Sequence, residues 1–96
     1  MKVSIMIPTK IKILGHVYSI IFDSDYIEKS GGNTGQCNNY RNEIHICSKL
    51  PESSQHEILI HEIIEALDYR LELNLEHYKI CVLGESLNQV LRDNNM

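Results

Sequence analysis

The chain has 96 residues, 43% of them hydrophobic, and a formal net charge of −4 from 13 acidic and 9 basic side chains. That length supports one core and one domain, and the acidic balance leaves no broad cationic face for a phosphate backbone, so nucleic acid is not an expected partner. Cys37, Cys47 and Cys81 are odd in number and form no CxxC pair, which points to reduced thiols in a cytoplasmic protein, and lysines interrupt residues 1–14 too often for a signal peptide or membrane span.

Residues 1–50 carry strand signals. Val3, Ile5 and Ile7 alternate and form a candidate strand that Pro8 ends or confines to an edge. Residues 10–13 alternate as Lys-Ile-Lys-Ile and residues 17–22 are β-branched and aromatic, so Gly15-His16 between them predicts a hairpin reversal. Residues 23–35, with Gly31, Gly32, Asn33 and Gly35, read as a loop. A second hairpin is expected from 35–40 and 43–47 around Arg41-Asn42, with Ile44 and Ile46 on one face and His45 and Cys47 on the other.

Beyond residue 50 the period becomes helical. Ser54-x-x-Glu57 is a candidate capping box, and Pro51 fits a chain entering a helix. Ile60, Ile64, Leu67 and Leu71 make an apolar stripe, widened by Leu59, Ile63 and Ala66. Glu57, His61, Glu65, Asp68 and Glu72 fall on the opposite side, which by pattern alone reads equally well as a solvated acidic face. A second helix is expected over 76–92, with Ile80, Leu83, Leu87, Val90 and Leu91 buried. The short link over 72–75 makes the two helices antiparallel neighbours. The expected class is α+β: a small antiparallel sheet of two hairpins over 1–50, followed by two antiparallel helices over 51–96.

His61-Glu62-Ile63-Ile64-Glu65 departs by one residue from the metal-binding pattern His-Glu-x-x-His. In that pattern two imidazoles one helical turn apart hold Zn²⁺, and the intervening glutamate acts as general base toward water. Glu65 keeps the geometry with a carboxylate, which binds Zn²⁺ at about 2.0–2.2 Å. Glu62 occupies the position of the base, although a helical glutamate is ordinarily exposed.

A catalytic site needs a third protein ligand, and His77 and Glu85 are the candidates. They lie about 12 Å apart along a helix and cannot easily both serve. Glu85 follows Glu65 with nineteen residues between them, a spacing similar to that of thermolysin-like gluzincins, but it projects away from the expected apolar stripe. His77 shares a flank with Cys81 and Gly84, the side able to reach the first helix. With His61, Glu65 and His77 the set is two imidazoles and one carboxylate, which leaves a divalent ion net positive and able to acidify water; Glu85 as well as Glu65 would cancel that charge and favour Mn²⁺ or Fe²⁺ over Zn²⁺. His56 and Glu57, one turn upstream, are candidates for supporting contacts or plain surface residues. His16 and His45 carry no assigned role.

Residues 58–67 (Ile-Leu-Ile-His-Glu-Ile-Ile-Glu-Ala-Leu), 75–80 (Leu-Glu-His-Tyr-Lys-Ile) and 87–94 (Leu-Asn-Gln-Val-Leu-Arg-Asp-Asn) resemble the small zincin-like proteins encoded by bacteriophages and prophages. More distantly, strands followed by a motif helix are similar to the metallopeptidase cores of the ImmA/IrrE and SprT-like families. The resemblance implies a zincin-like domain in a host cell's cytoplasm, and a sheet edge in the hairpin ending at Cys47 that pairs with extended peptide. Three readings follow. The first is a zinc metallopeptidase-like hydrolase acting on a peptide or protein, with metal ligands His61, Glu65 and His77 and catalytic Glu62. The second is an inactive scaffold that binds a host or phage protein. The third is an ion that staples a small core through four protein groups, Cys81 among them.

Overall fold

The computed structural model describes residues 7–96. The expected strand around Val3 and Ile5 lies outside these residues, and Ile7 packs half-buried against the core without joining a strand. The order is β1 (Lys10–Ile13), β2 (His16–Asp23), α1 (Tyr26–Ser30), β3 (Gly35–Asn38), β4 (Glu43–Cys47), α2 (Glu52–Leu71) and α3 (His77–Asp93). The class is α+β, with a four-stranded sheet followed by two long helices.

β1 and β2 form the first hairpin, with Ile13 opposite His16. The reversal therefore falls on Leu14-Gly15, one residue before the expected position. Both residues have positive φ, 50° and 84°, the conformation a two-residue hairpin turn requires and glycine tolerates without strain. β3 and β4 form the second hairpin, closed by Asn38, whose Oδ1 accepts the backbone N–H groups of Tyr40 and Arg41.

The sheet differs from the expected one because it is mixed. Its order is β1-β2-β4-β3, and β2 runs parallel to β4. The segment expected to be a loop contains α1, which ends on Gly31 in the left-handed conformation (φ 77°). That turn of helix carries the chain across the sheet, so β4 enters between β2 and β3. A central position suits β4, since Ile44, Ile46 and Cys47 are all fully buried, Cys47 beside α1 with Sγ donating to the Ser24 carbonyl oxygen. β3 is left as an edge strand.

α2 lies across one face of the sheet. Its N-cap is Pro51, three residues before the Ser54 signal, with no side-chain cap hydrogen bond, so the capping box is not formed; the Gln55 side chain instead donates to the carbonyls of Ser48 and Leu50. Leu59 and Ala66 are buried in the core with Tyr18, Ile20, Ile44 and Ile46, and Ile58, Ile63 and Leu67 pack around them. Burial of a large side chain of this kind contributes roughly 1.5–3 kcal/mol. The stripe is thus rotated from the expected one, and Leu71 is exposed. At the far end of α2, Arg70 Nε donates to the Tyr18 hydroxyl (2.6 Å), Tyr18 donates to Asn39 Oδ1 (2.6 Å), and Arg70 Nη2 donates to Asn42 Oδ1 (2.7 Å). One guanidinium thereby ties the helix to β2 and to the β3–β4 turn.

α3 packs on α2 as an outer layer. Ile80 and Gly84 are its buried residues; Leu83, Leu87 and Val90, expected inside, are 44–50% exposed because a helix packed on one neighbour can cover only a narrow stripe.

Gly35 is where β3 meets α2. A Cβ there would collide with the Ile58 side chain and lie 3.0 Å from the His45 carbonyl oxygen, which belongs to the sheet and cannot give way cheaply. Gly35→Ala is expected to destabilise the fold by about 1–3 kcal/mol, read as a lower urea midpoint with an unchanged m-value.

Candidate metal centre

His61 and Glu65 sit one turn apart on α2, so their side chains stack on the same face. That face is roofed by α3 and is not a free acidic surface. Two features bring α3 back. The link between the helices is folded tightly by Glu72 and Asn74, both with left-handed φ, while Asp68 Oδ1 accepts the Leu75 N–H at 2.8 Å. Further along, Gly84 packs against the backbone of His61, with the position of an added Cβ 3.4 Å from His61 Cα, so the two helices are in close contact there. The helices run antiparallel, with 84 beside 61 and 77 beside 65.

His77, the first residue of α3, consequently faces the α2 pair. His61 Nε2 and His77 Nδ1 each lie 3.7 Å from Glu65 Oε1, and the two rings meet edge to face with centroids 5.4 Å apart. In a tetrahedral zinc sphere with bonds of about 2.0–2.2 Å, neighbouring donor atoms are about 3.3–3.6 Å apart. Glu65 thus lies close to both imidazoles, but it stands outside the group whose ligand atoms all approach one another within 4.8 Å, which is His61, His77 and Cys81, so a sphere that includes Glu65 requires its side chain and those of the imidazoles to close on the ion. Cys81, one turn beyond His77, joins from the other side: its Sγ is 3.5 Å from His77 Nε2, and the donors of His61, His77 and Cys81 all lie within 4.8 Å of one another. Glu85 is exposed at the end of the groove, outside that group.

Glu62 is not the exposed glutamate that helix statistics predict. It is 7% exposed, on the side of α2 that meets the edge strand, and it falls between Leu59 and Ala66 on the buried face. That position was legible as a spacing of three and four residues from two core positions. Burial pushes its carboxyl up to about 7, the charge of Glu65 adds to the rise, and a hydrogen bond from the Cys37 backbone partly offsets it. Burial also lowers the His61 pKa, with Glu65 opposing and His77 reinforcing that shift, so the imidazole is neutral and able to ligate at pH 7. The Cys37 thiol is driven up to about 12 by burial and then by Glu62 and Glu65, which keeps it protonated.

β3 forms the opposite wall of the groove, where Gly35 and Cys37 line it together with His61, Glu62, Glu65 and His77. The ladder bond from Cys47 N–H to the Thr34 carbonyl (2.9 Å) sets the phase of the hairpin. Gly35 and Cys37 therefore turn their backbone groups toward the free edge. The edge is β3, not β4, which lies inside the sheet. Of the remaining histidines, His56 is buried with its Nε2 3.8 Å from Glu52, His45 stacks on Tyr26 and contacts Glu43, and His16 is exposed on β2; none is in the donor cluster. Glu57 lines the groove.

No protein-family model matches the chain, and no curated protein or solved structure shows a significant match. No helix among the described residues is long and apolar enough to cross a membrane.

Because the folded carboxyl of Glu62 titrates above its unfolded value of 4.5, the metal-free fold binds the extra proton. Its contribution is complete below pH 4.5 and is lost as pH rises through about 7, by up to about 3 kcal/mol. His61 acts in the opposite sense, because its lowered pKa favours the fold above pH 6.5. Subtracting the stability profile of Glu62→Gln from that of the unmodified chain, both in chelator, is expected to leave a fall between about pH 4.5 and 7.

Proposed function

We propose that this protein is a metal-dependent hydrolase of the peptidase type, with an ion held by His61, Glu65 and His77 and with Glu62 as general base. The observation that supports this reading is the approach of two imidazoles, one from each helix, to within 3.7 Å of Glu65, beside a buried carboxyl in an edge-strand groove. The set of two imidazoles and one carboxylate suits Zn²⁺, with Mn²⁺ or Fe²⁺ as alternatives. When bound, the ion supplies Lewis acidity, with a net positive charge because Glu65 is the single anionic ligand.

The chain's own groups do the rest. An extended peptide lies along β3, pairing with the outward backbone groups of Gly35 and the Cys37 carbonyl, while the Cys37 N–H stays on the Glu62 carboxyl. Glu62, with a pKa near neutrality, takes a proton from the attacking water and returns it to the leaving amine. Its burial keeps it from being solvated away from that task, and the neighbouring Glu65 charge maintains its basicity. Neutral His61 is ready to ligate without first losing a proton.

A second reading, an inactive zincin-like scaffold that binds a host or phage protein, is favoured by one observation: Tyr78, Val82, Leu83, Leu87 and Val90 leave α3 with an exposed apolar face. Chelation separates the two, since it abolishes hydrolysis but leaves binding through α3 intact.

Protein purified without added metal is expected to carry about one transition-metal ion per chain. His61→Ala and His77→Ala are each expected to weaken metal binding by well over about tenfold, measured by competition with a chromogenic chelator. Glu62→Gln should retain the metal and lose cleavage of a peptide library by about 10²-fold or more. Undiminished cleavage in that variant, or a chain that binds no transition metal, would overturn the hydrolase reading.

A further inference from the structure

We propose that Cys81 is a second, alternative anionic ligand for the ion, so that His61 and His77 are shared between two spheres and Glu65 and Cys81 exchange as the third donor. The inference rests on the metal reading above and adds a resting form to it. His77 presents its two ring nitrogens to different partners: Nδ1 is 3.7 Å from Glu65 Oε1, and Nε2 is 3.5 Å from Cys81 Sγ. The nitrogens of one imidazole diverge, so a single ion uses one of them at a time. The groove is divided in the same way. His61, Glu62 and His77 line both of its lobes, whereas Glu65 lines only one and Cys81 only the other.

The two contacts of His77 already reach both lobes from one ring. His77 is the most exposed of the donors, with 75% of its side chain accessible, and it can turn about its own bonds while α2 and α3 stay in place. Cys81 lies on α3 and lines a lobe that it shares with Glu62 and with Gly35 of β3, so the cysteine-bound form holds the ion in that lobe and away from Glu65. The charge on the sphere is the same in both forms, because a thiolate replaces a carboxylate. Coordination by Cys81 releases the thiol proton to solvent, and the thiolate recovers a proton from solvent when Glu65 takes its place. The two spheres differ in softness: the sulfur-containing one favours Zn²⁺, and the carboxylate one accepts harder ions such as Mn²⁺ more readily.

Co²⁺ provides a direct test, because thiolate ligation gives a near-ultraviolet charge-transfer band that nitrogen and oxygen ligands do not. The Co²⁺-loaded chain is expected to show this band, Cys81→Ser to lose it while still binding Co²⁺, and Glu65→Gln to retain or strengthen it. A second measurement uses the unaltered sequence: Zn²⁺ at about 100 times its Kd should slow iodoacetamide alkylation of Cys81 by at least about tenfold. Half-buried Cys37 and buried Cys47 serve as internal references in the peptide map. Stoichiometric Co²⁺ without the band, a band that survives Cys81→Ser, or alkylation unaffected by Zn²⁺ would overturn the exchange and leave the His61–Glu65–His77 site standing. A chain that binds no Co²⁺ at all would bring down both.

Discussion

The close seating of α3 on α2 is the constraint on which the site depends. Gly84 rests against the backbone of His61, where even a single added Cβ would already be in van der Waals contact, 3.4 Å from His61 Cα. With that contact made and the link folded over Glu72 and Asn74, the first turn of α3 must come down beside Glu65. The separations among His61, Glu65, His77 and Cys81 follow from it. A helix pair that was one residue out of register would rotate His77 by about 100° and scatter the donors.

The second organising feature is electrostatic. Glu62 is surrounded by the core on one side and by the edge strand on the other, and its carboxyl is held near neutrality by burial and by the charge of Glu65. The two carboxylates of the helix thus take different roles from different environments, although they lie only three residues apart. Glu65, half-exposed, lies 3.7 Å from each of two imidazoles. Glu62, turned toward β3, is suited to holding and passing a proton. The same burial keeps Cys37 a protonated thiol and His61 a neutral imidazole at pH 7.

The sheet supplies the other wall. Its mixed order matters because inserting β4 between β2 and β3 frees the outer side of β3, the strand nearest the donors. Gly35 lets β3 pack directly on Ile58 and Glu62, and the Arg70–Tyr18–Asn39–Asn42 network anchors the opposite end of α2 over the same hairpin. The helix that carries two of the donors is thereby held at both ends relative to the strand edge.

Much of this was written locally. The alternation of 10–13 and 43–47, the 3.6-residue period after residue 50 and the one-turn spacing of His61 and Glu65 were enough to place the strands, the long helices and the motif, because each depends on neighbours within a few residues. The parallel pairing of β2 with β4 was not legible, since it depends on α1 turning the chain within a Gly-rich segment that local pattern reads as loop. Nor was the exposure of Leu83, Leu87 and Val90, because an amphipathic stripe states which side of a helix can be buried, not how much of it a neighbour will cover. The approach of His77 to Glu65, and of Cys81 to His77 and His61, belongs to tertiary structure alone. Periodicity along one helix fixes the angles between its own side chains, but only the packing of α3 and β3 against α2 decides which of those angles meets a partner, the core or water.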